Sequence, residues 1–74
     1  MPGLVILRVK DPGPEATRLL STLERELGVG AQPQTAGYVP ITLDQLDETT
    51  ARQRVTEVLQ DASPDWRDHL ELRS

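Results

Sequence analysis

Leu4-Val5-Ile6-Leu7-Arg8-Val9-Lys10 is the stretch around which this chain has to be arranged. β-Branched residues crowd it, and turn-forming residues close it on both sides, Pro2-Gly3 before and Asp11-Pro12-Gly13-Pro14 after. It reads as a β-strand. From Leu4 to Leu7 both faces are apolar, the pattern of a strand inside a sheet rather than at its edge. From Arg8 onward it alternates, with Val9 on one face and Arg8 and Lys10 on the other.

Working outward, Glu15 to Leu27 reads as an amphipathic helix. Ala16, Leu19, Leu20, Leu23 and Leu27 fall on one stripe at helical spacing. Pro14 suits a first turn, where its missing N–H costs nothing. Glu15 complements the positive end of the helix dipole, and Gly28 is a left-handed stop. Val29 to Gly37 has no period and reads as a surface loop, longer than the usual helix–strand connection. Tyr38-Val39-Pro40-Ile41-Thr42-Leu43 alternates with Val39, Ile41 and Leu43 on one face. Pro40 lacks the N–H that a ladder needs, so this is an edge strand.

A second helix lies within Asp44–Ala62, with Ala51, Val55, Val58, Leu59 and Ala62 as its apolar stripe. Two starts compete: Thr42 or Asp44 capping a first turn through Leu46, or Asp47 capping a helix that begins at Glu48. Glu48 and Arg52 stand four apart in the favourable order. Ser63-Pro64 ends the element. Asp65-Trp66-Arg67-Asp68 is a turn with an anchoring Trp, and His69-Leu70-Glu71-Leu72-Arg73 alternates as a short last strand.

The order is strand, helix, strand, helix, strand. This predicts a small βαβαβ domain of the α/β class (α+β if a strand reverses), a three-stranded sheet packed with two helices, as one domain over residues 1–74. Two right-handed crossovers around a central first strand would put the helices on opposite faces. The outer strands argue for two layers instead, because Tyr38, Pro40 and Thr42 share one face, and His69, Glu71 and Arg73 share another. Both are too polar to lie under a helix. The covered face is then Val5, Leu7, Val9, Val39, Ile41, Leu43, Leu70 and Leu72. The opposite face carries Leu4, Ile6, Arg8, Tyr38, Pro40, His69 and Arg73, with Lys10 beside them: an apolar patch rimmed by charge, as contact surfaces often are. The competing reading is that the helix faces are misassigned and this patch is core.

Composition bounds the rest. The chain has 74 residues, 36% hydrophobic and 27% charged, with no Phe, one Trp and one Tyr, so the core is aliphatic and modest. With no Cys and one His, disulfides and thiolate metal sites are excluded and most zinc arrangements with them. The net charge of −4 and the even spread of basic residues argue against nucleic acid. The N-terminus lacks the pattern of a signal peptide. The longest apolar run, Leu4 to Leu7, is far short of a membrane span. These features point to a cytoplasmic protein without a membrane or nucleic-acid role.

Three constellations bear on chemistry. If the first two strands are parallel, Asp11 and Asp44 lie at one sheet edge and, with Asp47, could gather Mg²⁺; the plainer reading is turn and cap chemistry. Asp65 to His69 contains an Asp–His pair, yet no nucleophile sits at a signature spacing. Gly28-Val29-Gly30 follows a helix, and Gly13 is flanked by Pro12 and Pro14, so neither makes a phosphate cradle. The expectation is a non-enzymatic protein-interaction module (homo-oligomer, accessory subunit or adaptor) without catalytic residues, cofactor or metal. Its alternative is a metal- or ligand-binding regulatory domain using the strand-end carboxylates.

Overall fold

A computed structural model describes residues 3–73. It contains β1 (Gly3–Val9), α1 (Pro14–Leu27), β2 (Tyr38–Leu43), α2 (Glu48–Ala62) and β3 (Leu70–Arg73), with single 3₁₀ turns at Thr35–Gly37 and Trp66–Asp68. Met1, Pro2 and Ser74 lie outside the described residues, and with them the Pro2 boundary of β1 and the start of the N-terminal segment examined for a signal peptide. The strand order is β2-β1-β3, so β1 is central and the Pro40 strand is an edge.

Both pairings of β1 are antiparallel, Ile6 standing opposite Pro40 on one side and Arg73 on the other. The parallel pairing of β1 with β2 on which the strand-end carboxylate reading depends is therefore not met. The physical reason lies between α1 and β2. A helix of 14 residues carries the chain back about 21 Å along the sheet. A short connection would start β2 there, parallel to β1. Instead the segment from Gly28 to Gly37 travels the length of α1 again and delivers β2 at the other end. β2, α2 and β3 then form a parallel unit split by β1 between its strands.

The pleat accommodates Pro40. The Lys10 N–H donates to the His69 carbonyl at 2.8 Å, so even-numbered β1 residues turn their backbone groups toward β3 and odd-numbered ones toward β2. Pro40, opposite Ile6, then has its nitrogen on the solvent side of the edge, where no donor is required.

The two layers are as the strand faces predict. Val5, Leu7, Val39, Ile41 and Leu70 are sealed beneath Leu19 and Leu23 of α1 and Val55 and Leu59 of α2. Val9 and Leu72 are half-buried at the margin of that core. Trp66, fully buried, is the largest core side chain, and its Nε1–H donates to Gln60 Oε1 at 3.1 Å. Gly3 has a steric role: a Cβ there would lie 2.7 Å from both Ala51 Cβ and the Asp47 carbonyl. The start of β1 thus passes directly against the first turn of α2.

The helix ends follow local chemistry. Pro14 opens α1, and Gly28 closes it at φ 66°, its N–H donating to the Glu24 carbonyl. The start of α2 is settled in favour of Asp47, whose Oδ1 accepts the Thr50 N–H at 2.8 Å. Leu46 N–H is already committed to the Leu43 carbonyl in a turn, which keeps residues 44–46 out of the helix. Among the described residues Glu48 and Arg52 form no ion pair, although their spacing allows one.

Leu23 and Trp66 are both fully enclosed. Leu23→Ala is expected to lower stability by about 2–4 kcal/mol and Trp66→Ala by about 3–5 kcal/mol. Denaturant unfolding of each variant checks this, and a change within error at either site would place it outside the core.

Candidate functional site

The side of the sheet opposite the helices is uncovered. The register arranges it in rows across the strands. Tyr38, Arg8 and Glu71 make the first, Pro40, Ile6 and Arg73 the second, and Thr42 and Leu4 the third. Leu4 is 48% exposed and Tyr38 36%, and these are the exposed large hydrophobic residues among those described. Ile6 is half-buried between them, and Pro40 is exposed. The alternative in which this patch is core is overturned, since both helices pack on the other side.

Charge is organised at one end of this face. Arg8 Nε donates to Glu71 Oε1 at 2.9 Å, and Arg73 Nη1 reaches the same oxygen at 3.4 Å. The Arg8 hydrogen bond, supported by Arg73, holds the Glu71 carboxyl below its usual range and raises Arg8 in turn. The Arg73 guanidinium carbon is also 5.7 Å from the centroid of the Tyr38 ring. Tyr38 is on β2 and Arg73 on β3, so the Arg73 side chain lies across β1 to reach it. Lys10, just past β1, donates its ammonium to the Arg67 carbonyl at 3.0 Å.

The structure thus brings Leu4, Ile6, Arg8, Tyr38, Pro40 and Arg73 onto one surface and corrects His69. That residue precedes β3, in the helical backbone conformation that ends the Trp66–Asp68 turn. Its Nδ1 is buried without a well-formed hydrogen bond, 3.4 Å from Asp11 Oδ2. A strand pattern that starts one residue late removes it from the face. Glu71, not among the residues singled out for contact, is the centre of the charge network. Its alternation with Arg73 was visible, but its partnership with Arg8 depends on a pairing 63 residues apart.

The carboxylate cluster does not assemble. Because β1 and β2 are antiparallel, Asp11 and Asp44 follow strand ends at opposite ends of the sheet. Asp47 spends its carboxylate on the α2 cap, and the Thr50 hydrogen bond lowers its pKa. Among the described residues no three His, Asp or Glu side chains converge as a metal site. The regulatory reading based on Asp11, Asp44 and Asp47 acting together loses its geometry.

The Gly28–Gly37 segment is tied down more than its composition suggests. Glu24 Oε2 accepts the Ala31 N–H at 3.1 Å and Gln32 Nε2 at 3.0 Å, and Ala31 is buried. Gln34 N–H donates to the outward carbonyl of Tyr38 at 2.6 Å. Ala36 takes φ 61°, a left-handed conformation that costs a non-glycine residue about 1–2 kcal/mol. A shallow apolar groove of about 310 Å³ lies between this segment and the start of α1, lined by Val9, Pro12, Ala16, Leu20 and Pro33 among others. No titratable side chain lines it.

No helix among the described residues is long and apolar enough to cross a membrane. Searches against family profiles, curated protein sequences and solved structures returned no match to this chain.

Glu24 supplies a pH test. The Ala31 backbone hydrogen bond, and then Gln32, lower its pKa from the ordinary value of 4.5. A depressed carboxyl stabilises the fold fully above its ordinary pKa and loses that contribution as pH falls through the lowered one. Protection of the Ala31 amide, corrected for intrinsic exchange, should hold at neutral pH and fall below pH 4.5. Glu24→Ala should remove it at every pH. Unchanged protection in that variant would mean that other contacts hold the loop.

Proposed function

We propose that this chain is a non-enzymatic protein-interaction module, an adaptor or accessory domain, that engages its partner through the uncovered face of the sheet. One observation carries the reading: Leu4 and Tyr38, both exposed, lie on the same face on either side of Ile6, while the other large apolar side chains turn toward the helices or line their margins. Scattered apolar residues on a surface need no explanation, but a contiguous patch with a charged rim does.

Size narrows the kind of interaction. Three strands span about 14 Å, and the seven residues of β1 about 23 Å. The product is on the order of 300 Å², well under the roughly 800 Å² that each partner contributes to a standard interface. The face suits a segment of another protein better than a large globular surface. The edges add little. β2 carries Pro40, β3 has four residues, and Leu70 at its start is fully enclosed.

Leu4→Glu and Tyr38→Glu test the site, with Arg54→Glu on α2 as a control. Both face variants should melt and sediment as folded protein yet lose binding partners that the wild type and the control retain in affinity purification. Retention of the same partners by all four proteins would place the contact surface elsewhere.

A further inference from the structure

We infer that the partner of this face is an acidic amphipathic helix, lying along the strands as a second helical layer with its acidic residues at the Arg8–Arg73 end. The inference rests on reading the face as a contact surface and adds the chemistry of what covers it.

Charge is the first argument. The chain is net −4. On the face itself two arginines stand against one glutamate, so it is net positive while the rest of the molecule is net negative. Lys10 adds a further cation at the same rim. The charges are also segregated: Arg8, Arg73 and Glu71 occupy the first two rows, and the third, Leu4 and Thr42, has none. A complementary surface is acidic at one end and apolar at the other. Its helical C-terminus, with the negative end of the dipole, falls at the arginine end.

Shape is the second. A strip about 14 Å wide and 23 Å long matches one helix, about 10–12 Å across and about 15 residues long. The opposite face of the sheet already shows that its apolar side chains are sealed by helices. Arg8 and Arg73 also have aliphatic stems that extend the apolar floor while their guanidinium groups reach the rim.

The same observations disfavour other occupants. A second copy placed face to face opposes two positive surfaces, and the area is small for a stable dimer. A nucleic acid needs stacking platforms, and the face offers one aromatic ring, already approached by Arg73, among aliphatic residues useless to a phosphate backbone.

The test is an NMR titration of the isotopically labelled full chain with two synthetic helical peptides of about 15 residues. Both carry the same Leu and Ala stripe. One has Glu flanking its C-terminal half, and the other has Lys at those positions. The acidic peptide should shift the amides of Leu4, Ile6, Arg8 and Tyr38. It should bind about tenfold more weakly to folded Arg73→Glu, and more weakly when ionic strength rises from about 0.05 to about 0.5 M. If the Lys peptide binds the face as well as the acidic one, the charge assignment is wrong while the contact face stands. If neither peptide shifts these amides, both readings fall. Shifts produced only by an oligouridylate would make the surface a nucleic-acid site, and concentration-dependent dimerisation through these residues would make the occupant a second copy. Either result overturns the inference.

Discussion

The structure depends on β1 being paired on both sides while covered on one. Val5 and Leu7 anchor the core, and the alternate residues Leu4, Ile6 and Arg8 form the spine of the open face. The two helices can both sit on one side because the strands next to β1 put Val39, Ile41, Leu43 and Leu70 on that side. The antiparallel register is what keeps the inward residues in phase. A slip by one position would turn Val5 and Leu7 out and turn Arg8 toward the helices. The steric demand at Gly3 belongs to the same constraint, since it sets how closely β1 and the start of α2 approach.

Elements and faces were legible in the sequence because they are written in local periodicity. The α1 stripe, the alternation of β2 and the Pro40 edge each need only neighbouring residues to be read. Strand direction is not local. Whether Asp11 and Asp44 share a sheet edge is undecidable from the sequence, because nothing within β1 or β2 reports that the intervening segment retraces α1, although its unusual length is visible. The Glu24 anchor of Ala31 was hidden for a related reason: a glutamate on an exposed helix side looks the same whether it faces water or a returning loop. His69 falls one residue before β3, where a 3₁₀ turn gives way to strand, so alternation alone does not place it. Most of the candidate face was legible, since six of the seven residues proposed for it do lie together, while the charge network that gives it a sign was not.

The core explains why the chain tolerates so plain a composition. With no Phe, no disulfide and only 74 residues, the sheet and helices are held by aliphatic packing with one large side chain, Trp66, filling the space that several aromatics would share in a larger domain. Its indole N–H is satisfied by Gln60, so burial of the ring leaves no polar group without a partner. The caps at Asp47 and Gly28 and the tether from Glu24 are small contributions individually. In a domain whose stability is the narrow difference of large terms, they count.

The pairing of β1 also has a kinetic side. Its partners are remote along the chain, Pro40 lying opposite Ile6 on one edge and Leu72 opposite Leu7 on the other. Neither contact is a hairpin, so no stretch of the sheet can nucleate from a tight turn. The helices can form early from local order, but the sheet must wait for two long loops to close, and chain entropy opposes both closures before any ladder repays them. The strand with the most apolar sequence is thus the one that assembles through distant encounters. Folding should behave as a single cooperative event of mixed α/β character, in which the sheet and the surface it presents appear together.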